Sequence, residues 1–116
     1  MQLKLTTRTK DGILIVECSG RIVFGEESSL LRETVKKAVL ENNRIVLNLA
    51  EVNYIDSGGL GTLVALRTTA LNAGGTIKLT NLTSRVTDLL QITKLLTVFE
   101  VYNSEAEAIE SFRKAA

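Results

Sequence analysis

An acidic residue, a hydroxyl and three glycines stand together in Asp56-Ser57-Gly58-Gly59-Leu60-Gly61. They lie between the apolar run Arg44-Ile45-Val46-Leu47-Asn48-Leu49 and a longer apolar-rich run from Leu60 to Ala73. A short apolar run followed by one of helical length predicts a strand, a turn and a helix, which puts Ser57 at the helix N-terminus. Unpaired N–H groups and the helix dipole favour anions there. Two roles for Ser57 follow. As the N-cap it accepts a hydrogen bond from an amide two or three residues on, worth about 1 kcal/mol. As a phosphate acceptor it gains roughly −1.5 to −2 charge beside Asp56, with helix amides at hand to receive the phosphate oxygens. A surface that docked an acidic or apolar partner before modification then repels it. Gly58, Gly59 and Gly61 bear on the same point. Glycine costs about 1 kcal/mol relative to alanine inside a helix, so bare backbone here implies close packing by a neighbouring element or access for a partner.

Other chemistries fit poorly. Gly58-Gly59-Leu60-Gly61 lacks the Gly-Lys-Ser/Thr ending of a phosphate-binding loop and the spacing of a dinucleotide fingerprint. A nucleophilic serine needs a base; the chain has no histidine, and Asp56, adjacent in sequence, is badly placed to take the proton. The absence of histidine also removes the commonest zinc and iron ligand sets. No catalytic residue, metal ligand or cofactor site is therefore expected. Cys18 is the single cysteine; it cannot form an internal disulfide, and its apolar strand predicts a buried, inert thiol.

A chain of 116 residues, 45% hydrophobic and 23% charged, has the size and balance of one ordinary globular domain spanning 1–116. A formal net charge of +1 argues against a general electrostatic grip on nucleic acid or acidic membranes. No apolar run reaches the roughly 18–20 residues needed to span a bilayer. Met1-Gln2-Leu3-Lys4 begins strand-like alternation directly, without a signal-peptide core, so the expected location is cytoplasmic.

The elements that must position the loop can be taken in order. Leu3 to Thr9 and Ile13 to Ser19 read as strands of a hairpin turned at Asp11-Gly12, the second ending at Gly20. Ile22-Val23-Phe24-Gly25 reads as an apolar loop. A helix from about Glu27 to Glu41 turns Leu31, Val35, Ala38 and Val39 inward, and Asn42-Asn43 closes it. Ile45 to Leu49 is apolar enough for a central strand covered on both faces. The helix after the loop, lined by Leu60, Leu63, Val64 and Leu71, ends at Gly74-Gly75. A strand over Thr76 to Leu79 follows, then a short helix capped by Ser84 with Val86, Leu89 and Leu90 inward, then a strand at Thr97-Val98-Phe99. Ser104-Glu105-Ala106-Glu107 fits a capping box that opens a last helix with Ile109 and Phe112 inward. The order β-β-α-β-α-β-α-β-α predicts an α/β fold: a mostly parallel five-stranded sheet with one antiparallel edge strand and about four helices.

With Asp56-Ser57, Leu60-Gly61, the preceding strand and the Gly74-Gly75 turn in these places, nearly the whole chain resembles the STAS domain of anti-sigma factor antagonists. The resemblance implies that Ser57 is the phosphorylated serine and Asp56 the loop aspartate. It implies a docking surface of Asp56, Ser57, Gly58, Gly59, Leu60, Ile22, Val23 and Phe24. The implied partners are an anti-sigma factor with GHKL-type serine kinase activity, which uses ATP and Mg²⁺ to modify Ser57, and a metal-dependent serine phosphatase that reverses the step. The chain itself is then a substrate and regulator rather than an enzyme. Two positions depart from the family pattern. Gly58 stands where Ser, Thr or Ala is common, and Ile22-Val23-Phe24 occupies a loop that often carries an aspartate. Phe24 is open to two roles, a hydrophobic interface anchor or packing over the sheet edge.

The same fold also serves as a non-catalytic scaffold or accessory subunit of a signalling or lipid-transport assembly, and as a small-molecule (nucleotide) binding domain. Self-association is compatible with each. Retention of Asp56-Ser57 favours the switch.

Overall fold

A computed structural model describes residues 3–114; Met1 and Gln2, assigned above to the start of the first strand's alternation, lie outside the described residues. Strands β1 (Leu3–Lys10) and β2 (Ile13–Ile22) form the expected antiparallel hairpin, with Lys10 opposite Ile13 across Asp11-Gly12. Both turn residues have positive φ, 53° and 77°, the conformation that matches the right-handed twist of the flanking strands. Helix α1 (Glu26–Ala38), strand β3 (Arg44–Ile55), helix α2 (Ser57–Asn72), strand β4 (Thr76–Thr80), helix α3 (Ser84–Ile92), strand β5 (Glu100–Tyr102) and helix α4 (Glu105–Lys114) follow. The strands lie in the sheet in the order of the chain, β1-β2-β3-β4-β5, all parallel after the hairpin. This is the α/β sheet the sequence predicts.

Two separate apolar layers sandwich the sheet. On one face Val16, Cys18, Ile22, Ile45, Leu47, Leu49 and Ile55 meet Leu31 and Val35 of α1, Leu63 and Leu66 of α2, and Val86 and Leu90 of α3. On the other, Ile13, Ile15 and Val46 meet Ala108, Ile109 and Phe112 of α4, with the half-buried Tyr102 of β5 packed against them. The alternation Ile45-Val46-Leu47 thus feeds both layers, as expected of a central strand.

Several boundaries differ from the sequence reading. Strand β2 does not stop at Gly20; register shifts at Glu17/Ser19 and Gly20/Arg21 let it carry on until Ile22 pairs with Ile55. Strand β3 likewise runs on past Leu49 to Ile55. Its pairing with β4 ends at Asn48 opposite Thr80, and beyond that the Thr83 hydroxyl of the α3 approach donates to the Val52 carbonyl at 3.2 Å. The last strand is not Thr97-Val98-Phe99. Val98 N–H turns back to the Leu95 carbonyl, Phe99 is buried in the larger layer, and pairing with β4 begins only at Glu100.

Helix ends show which polar residue wins each cap. Thr83, not Ser84, caps α3, accepting from Val86 N–H. Ser104 caps α4 by accepting from Glu107 N–H, while the Glu107 carboxylate reaches back to Asn103 N–H, one residue beyond the standard capping box. Helix α2 ends in a Schellman motif: Gly74 has φ 81°, and the Gly74 and Gly75 amides donate to the Leu71 and Ala70 carbonyls. Within α2, Leu71 is largely exposed, and Leu66 and Ala70 fill the inward positions. In α1 the inward residues are Leu31 and Val35, with Val39 in the turn that follows, while Ala38 is half-buried.

Candidate functional site

The expected loop lies where the extended ends of β2 and β3 meet the start of α2. Ile22 is the last residue of β2 and fully buried, so its side chain belongs to the core, not to the docking surface assigned to it from sequence. Its carbonyl accepts the Asp56 N–H at 3.3 Å, which fixes the entry into α2. Gly59 sits directly on this carbonyl: a Cβ there would lie 1.9 Å from Ile22 O. Gly58 faces the next residues of the same connection, and its Cβ would lie 2.7 Å from Phe24 Cβ. Both glycines are therefore explained by close packing inside the chain. Nothing in the structure explains Gly61, whose Cβ would meet no atom within 4 Å. Leu60 is buried beneath the turn and anchors the helix rather than lining a surface.

The helix cap is Asp56, not Ser57. The Asp56 carboxylate accepts the Gly59 N–H at 2.8 Å and the Phe24 N–H at 3.1 Å from each oxygen. The Gly59 hydrogen bond, helped by the Phe24 and Gly58 amides, holds this carboxyl below its ordinary pKa. Sequence alone cannot separate two adjacent residues that are equally good caps. The choice is tertiary, because only an acceptor at position 56 also serves the Phe24 amide on another element. Ser57 is displaced to the first helical residue. It is exposed, and none of the side-chain hydrogen bonds among the described residues uses its hydroxyl.

The β2–α1 connection is held from its other side as well. The buried Ser28 donates both its hydroxyl, at 2.6 Å, and its N–H, at 3.1 Å, to the Val23 carbonyl. Val23 is half-buried, whereas Phe24 is 82% exposed. Of the two roles open to Phe24, packing over the sheet edge is therefore not the one it adopts. One turn into α2, the buried Thr62 hydroxyl donates to the Gly58 carbonyl at 3.0 Å and accepts from Arg32 at 3.2 Å. This joins α1 to the same corner.

Asp56, Ser57, Gly58 and Phe24 thus share one rim, over a floor of Ile22, Gly59 and Leu60. Beside the rim, Tyr54, Ile55, Arg85, Val86, Asp88, Leu89 and Ile92 line a mostly apolar groove of about 280 Å³, with Ile92 79% exposed. Sequence reading missed this groove, because its walls come from a β3 extension and an α3 face that meet only in the fold. Among the described residues no group of His, Cys, Asp and Glu is arranged to hold a metal ion, and no helix is long and apolar enough to cross a membrane.

Residues 4–108 match the family model of the STAS domain. A candidate anti-sigma factor antagonist of Bordetella bronchiseptica, BtrV, is 28% identical over 113 residues, covering 97% of each chain. The crystal structure of a candidate anti-sigma factor antagonist of Thermotoga maritima is similar with a TM-score of 0.86 at 25% identity, covering 94% of each chain. The Bacillus cell fate determinant SpoIIAA in its phosphorylated form shares the fold, with a TM-score of 0.71 at 16% identity over 94% of this chain and 99% of that one.

Proposed function

The chain belongs to the STAS domain family, and on that premise we propose that it is an anti-sigma factor antagonist whose docking surface is switched by phosphorylation of Ser57. One observation carries the reading. Asp56 takes over the capping of α2, so the exposed Ser57 hydroxyl is left without a structural task at the positive end of a helix. In the unmodified state the rim offers an exposed aromatic, Phe24, beside a helix N-terminus. The partner is an anti-sigma factor that is also a GHKL-type serine kinase, and capturing it frees a sigma factor in the cytoplasm. Phosphate on Ser57 adds roughly two negative charges to the rim, and the kinase surface is repelled. A metal-dependent serine phosphatase resets the cycle. ATP and metal belong to these partners, and the chain catalyses nothing.

The names of the relatives support the antagonist role, and the geometry of Asp56 and Ser57 supports the switch. The test is intact-mass spectrometry of wild type and Ser57→Ala after incubation with a GHKL-type serine kinase from the same genome and Mg-ATP. One added phosphate on the wild type and none on the variant is the expected result. No modification of either protein by a kinase active on another substrate would refute the switch and leave a non-catalytic scaffold as the better reading.

A further inference from the structure

We infer that the groove between the end of β3 and the outer face of α3 is a second docking site for the same partner, built to take an apolar side chain with a carboxylate at one end of it. The inference deepens the antagonist reading and rests on it. Ile55 is one wall of the groove, and Asp56 and Ser57 of the rim follow it directly in the chain. A partner seated on the rim therefore reaches the groove across one continuous surface.

Two elements build the groove. On α3, Arg85, Asp88, Leu89 and Ile92 recur at the i, i+3, i+4, i+7 spacing that makes one stripe of a helix, while Val86 and Leu90 of the same helix are buried in the core. On β3, Tyr54 and Ile55 face that stripe across about 280 Å³. The last register shift between β2 and β3 falls just before the Arg21–Tyr54 pair, and shifts of this kind re-aim side chains. Tyr54 is left partly exposed beside the buried Ile55, and Ile92 is largely exposed at the end of α3. Folding gains little from an isoleucine left so far in water.

The charges select the occupant. Arg85 lies in the first turn of α3, where the helix dipole disfavours a cation. Arg21 approaches the Tyr54 ring, its guanidinium carbon 5.9 Å from the centroid, and its Nε is buried without a hydrogen-bond partner among the described residues. No ion pair among the described residues uses Arg21, Arg85 or Asp88. An incoming carboxylate supplies what both arginines lack, and tyrosine and arginine are common anchors of protein interfaces. Asp88, one turn along α3, repels a second carboxylate. The acidic residue of the partner therefore belongs at the Arg85 end, with a neutral or basic one toward Ile92. A groove this small falls below the usual size of small-molecule pockets and admits a side chain or two of a protein. Ser57 then sets when the partner docks, and the groove sets which partner does.

The experiment is calorimetric titration with the GHKL-type serine kinase from the same genome and Mg-ADP, so that Ser57 stays unmodified. Wild type is compared with Arg85→Glu, Ile92→Asp and Leu40→Asp. All three sites are exposed, so the variants are expected to fold, and urea melts check this. Leu40, also largely exposed, lies with Gly12 and Asn43 at the opposite end of the strands and serves as the control. Arg85→Glu and Ile92→Asp are each expected to weaken binding about tenfold or more, and Leu40→Asp to match wild type. The gap between Arg85→Glu and wild type should narrow at high salt, whereas that of Ile92→Asp should not. Wild-type affinity in both groove variants would overturn the inference, as would an equal loss in Leu40→Asp. A dimer of the wild type alone that Ile92→Asp dissolves would assign the groove to a second copy and overturn it too. A kinase that neither binds nor modifies the wild type sinks the proposed function and the groove with it, whereas one that modifies Ser57 and ignores the α3 variants sinks the groove alone.

Discussion

Replacing Gly59 and Gly61 by alanine, one at a time, makes the same chemical change two residues apart in one helix, with opposite expected signs. At Gly59 the new Cβ would lie 1.9 Å from Ile22 O, 2.8 Å from Ile22 C and 2.9 Å from Ile55 Cγ2. The two nearest are backbone atoms of Ile22, at the end of β2 where it pairs with Ile55 of β3, so no rotamer change relieves the contact. The start of α2 has to move away from β2 by about 1 Å. That stretches the 3.3 Å Asp56 N–H bond to the Ile22 carbonyl, worth about 1 kcal/mol. Overpacking of this kind costs roughly 1–3 kcal/mol, and the better helix propensity of alanine returns less than about 1 kcal/mol. The net expectation is about 1–3 kcal/mol of destabilisation. Gly61 has open space around its position, so its alanine variant keeps only the propensity gain and is more stable by about 0.5–1 kcal/mol. Urea denaturation with an unchanged m-value reads both, and thermal melts shift by roughly 4 °C per kcal/mol for a domain of this size. Gly59→Ala within about 0.5 kcal/mol of wild type, or Gly61→Ala clearly less stable, would refute the assignment of close packing to Gly59 and open space to Gly61.

The caps give a second contrast: Asp56→Ala loses about 1–2 kcal/mol, whereas Ser57→Ala stays within about 0.5 kcal/mol, and the reverse order in urea melts would restore Ser57 as the cap. The depressed Asp56 carboxyl contributes stability that is complete above its unfolded pKa of roughly 3.9 and is lost as pH falls through the lower folded value. Acid titration of stability should accordingly be shallower below about pH 4 in Asp56→Asn than in wild type, and identical slopes would count against the cap. Burial pushes the Cys18 thiol up to about 12, so a thiol reagent at pH 8 should label it only after denaturant is added; rapid labelling of the native protein would contradict its place in the core. Lys78, 4% exposed at its side chain, donates to Ser111 at 2.7 Å, lies 3.3 Å from Glu100 and sits 4.1 Å over the Phe112 ring. Glu100 is half exposed, so removing the desolvated Lys78 ammonium leaves no buried charge unpaired; Lys78→Met is expected between neutral and about 2 kcal/mol more stable, and a clear loss in urea melts would show that the charge itself holds α4.

The legible parts of the fold are those set by local pattern. Asp11-Gly12 names its hairpin because few other pairs accept two positive φ values, and Gly74-Gly75 names a helix end for a similar reason. The illegible parts are settled between elements. Whether Asp56 or Ser57 caps α2 depends on the Phe24 amide, which is 32 residues away in sequence. Ile22 reads as part of an apolar loop, yet pairing with Ile55 pulls it into the core. Val98 and Phe99 have strand-like composition, but a turn from Leu95 and burial of Phe99 move the pairing on to Glu100. Lys78, in the short Thr76–Thr80 strand, gives no sign that α4 buries its ammonium under an aromatic ring. In the site, sequence locates the rim and the three glycines, while only the fold separates two glycines that must be bare from one that need not be.

The strand order β1-β2-β3-β4-β5 also bears on how the molecule is made. Each strand pairs with the one synthesised just before it, so a chain leaving the ribosome never has to hold an unpaired strand in reserve for a late partner. Loop closures stay short, which favours fast folding and limits the time that open sheet edges are exposed to other chains. Helix α4, made after every strand of the sheet, closes over the second face. Until it does, Ile13, Ile15 and Val46 lie open beside the Lys78 ammonium, a charge that discourages two half-made molecules from joining through that face.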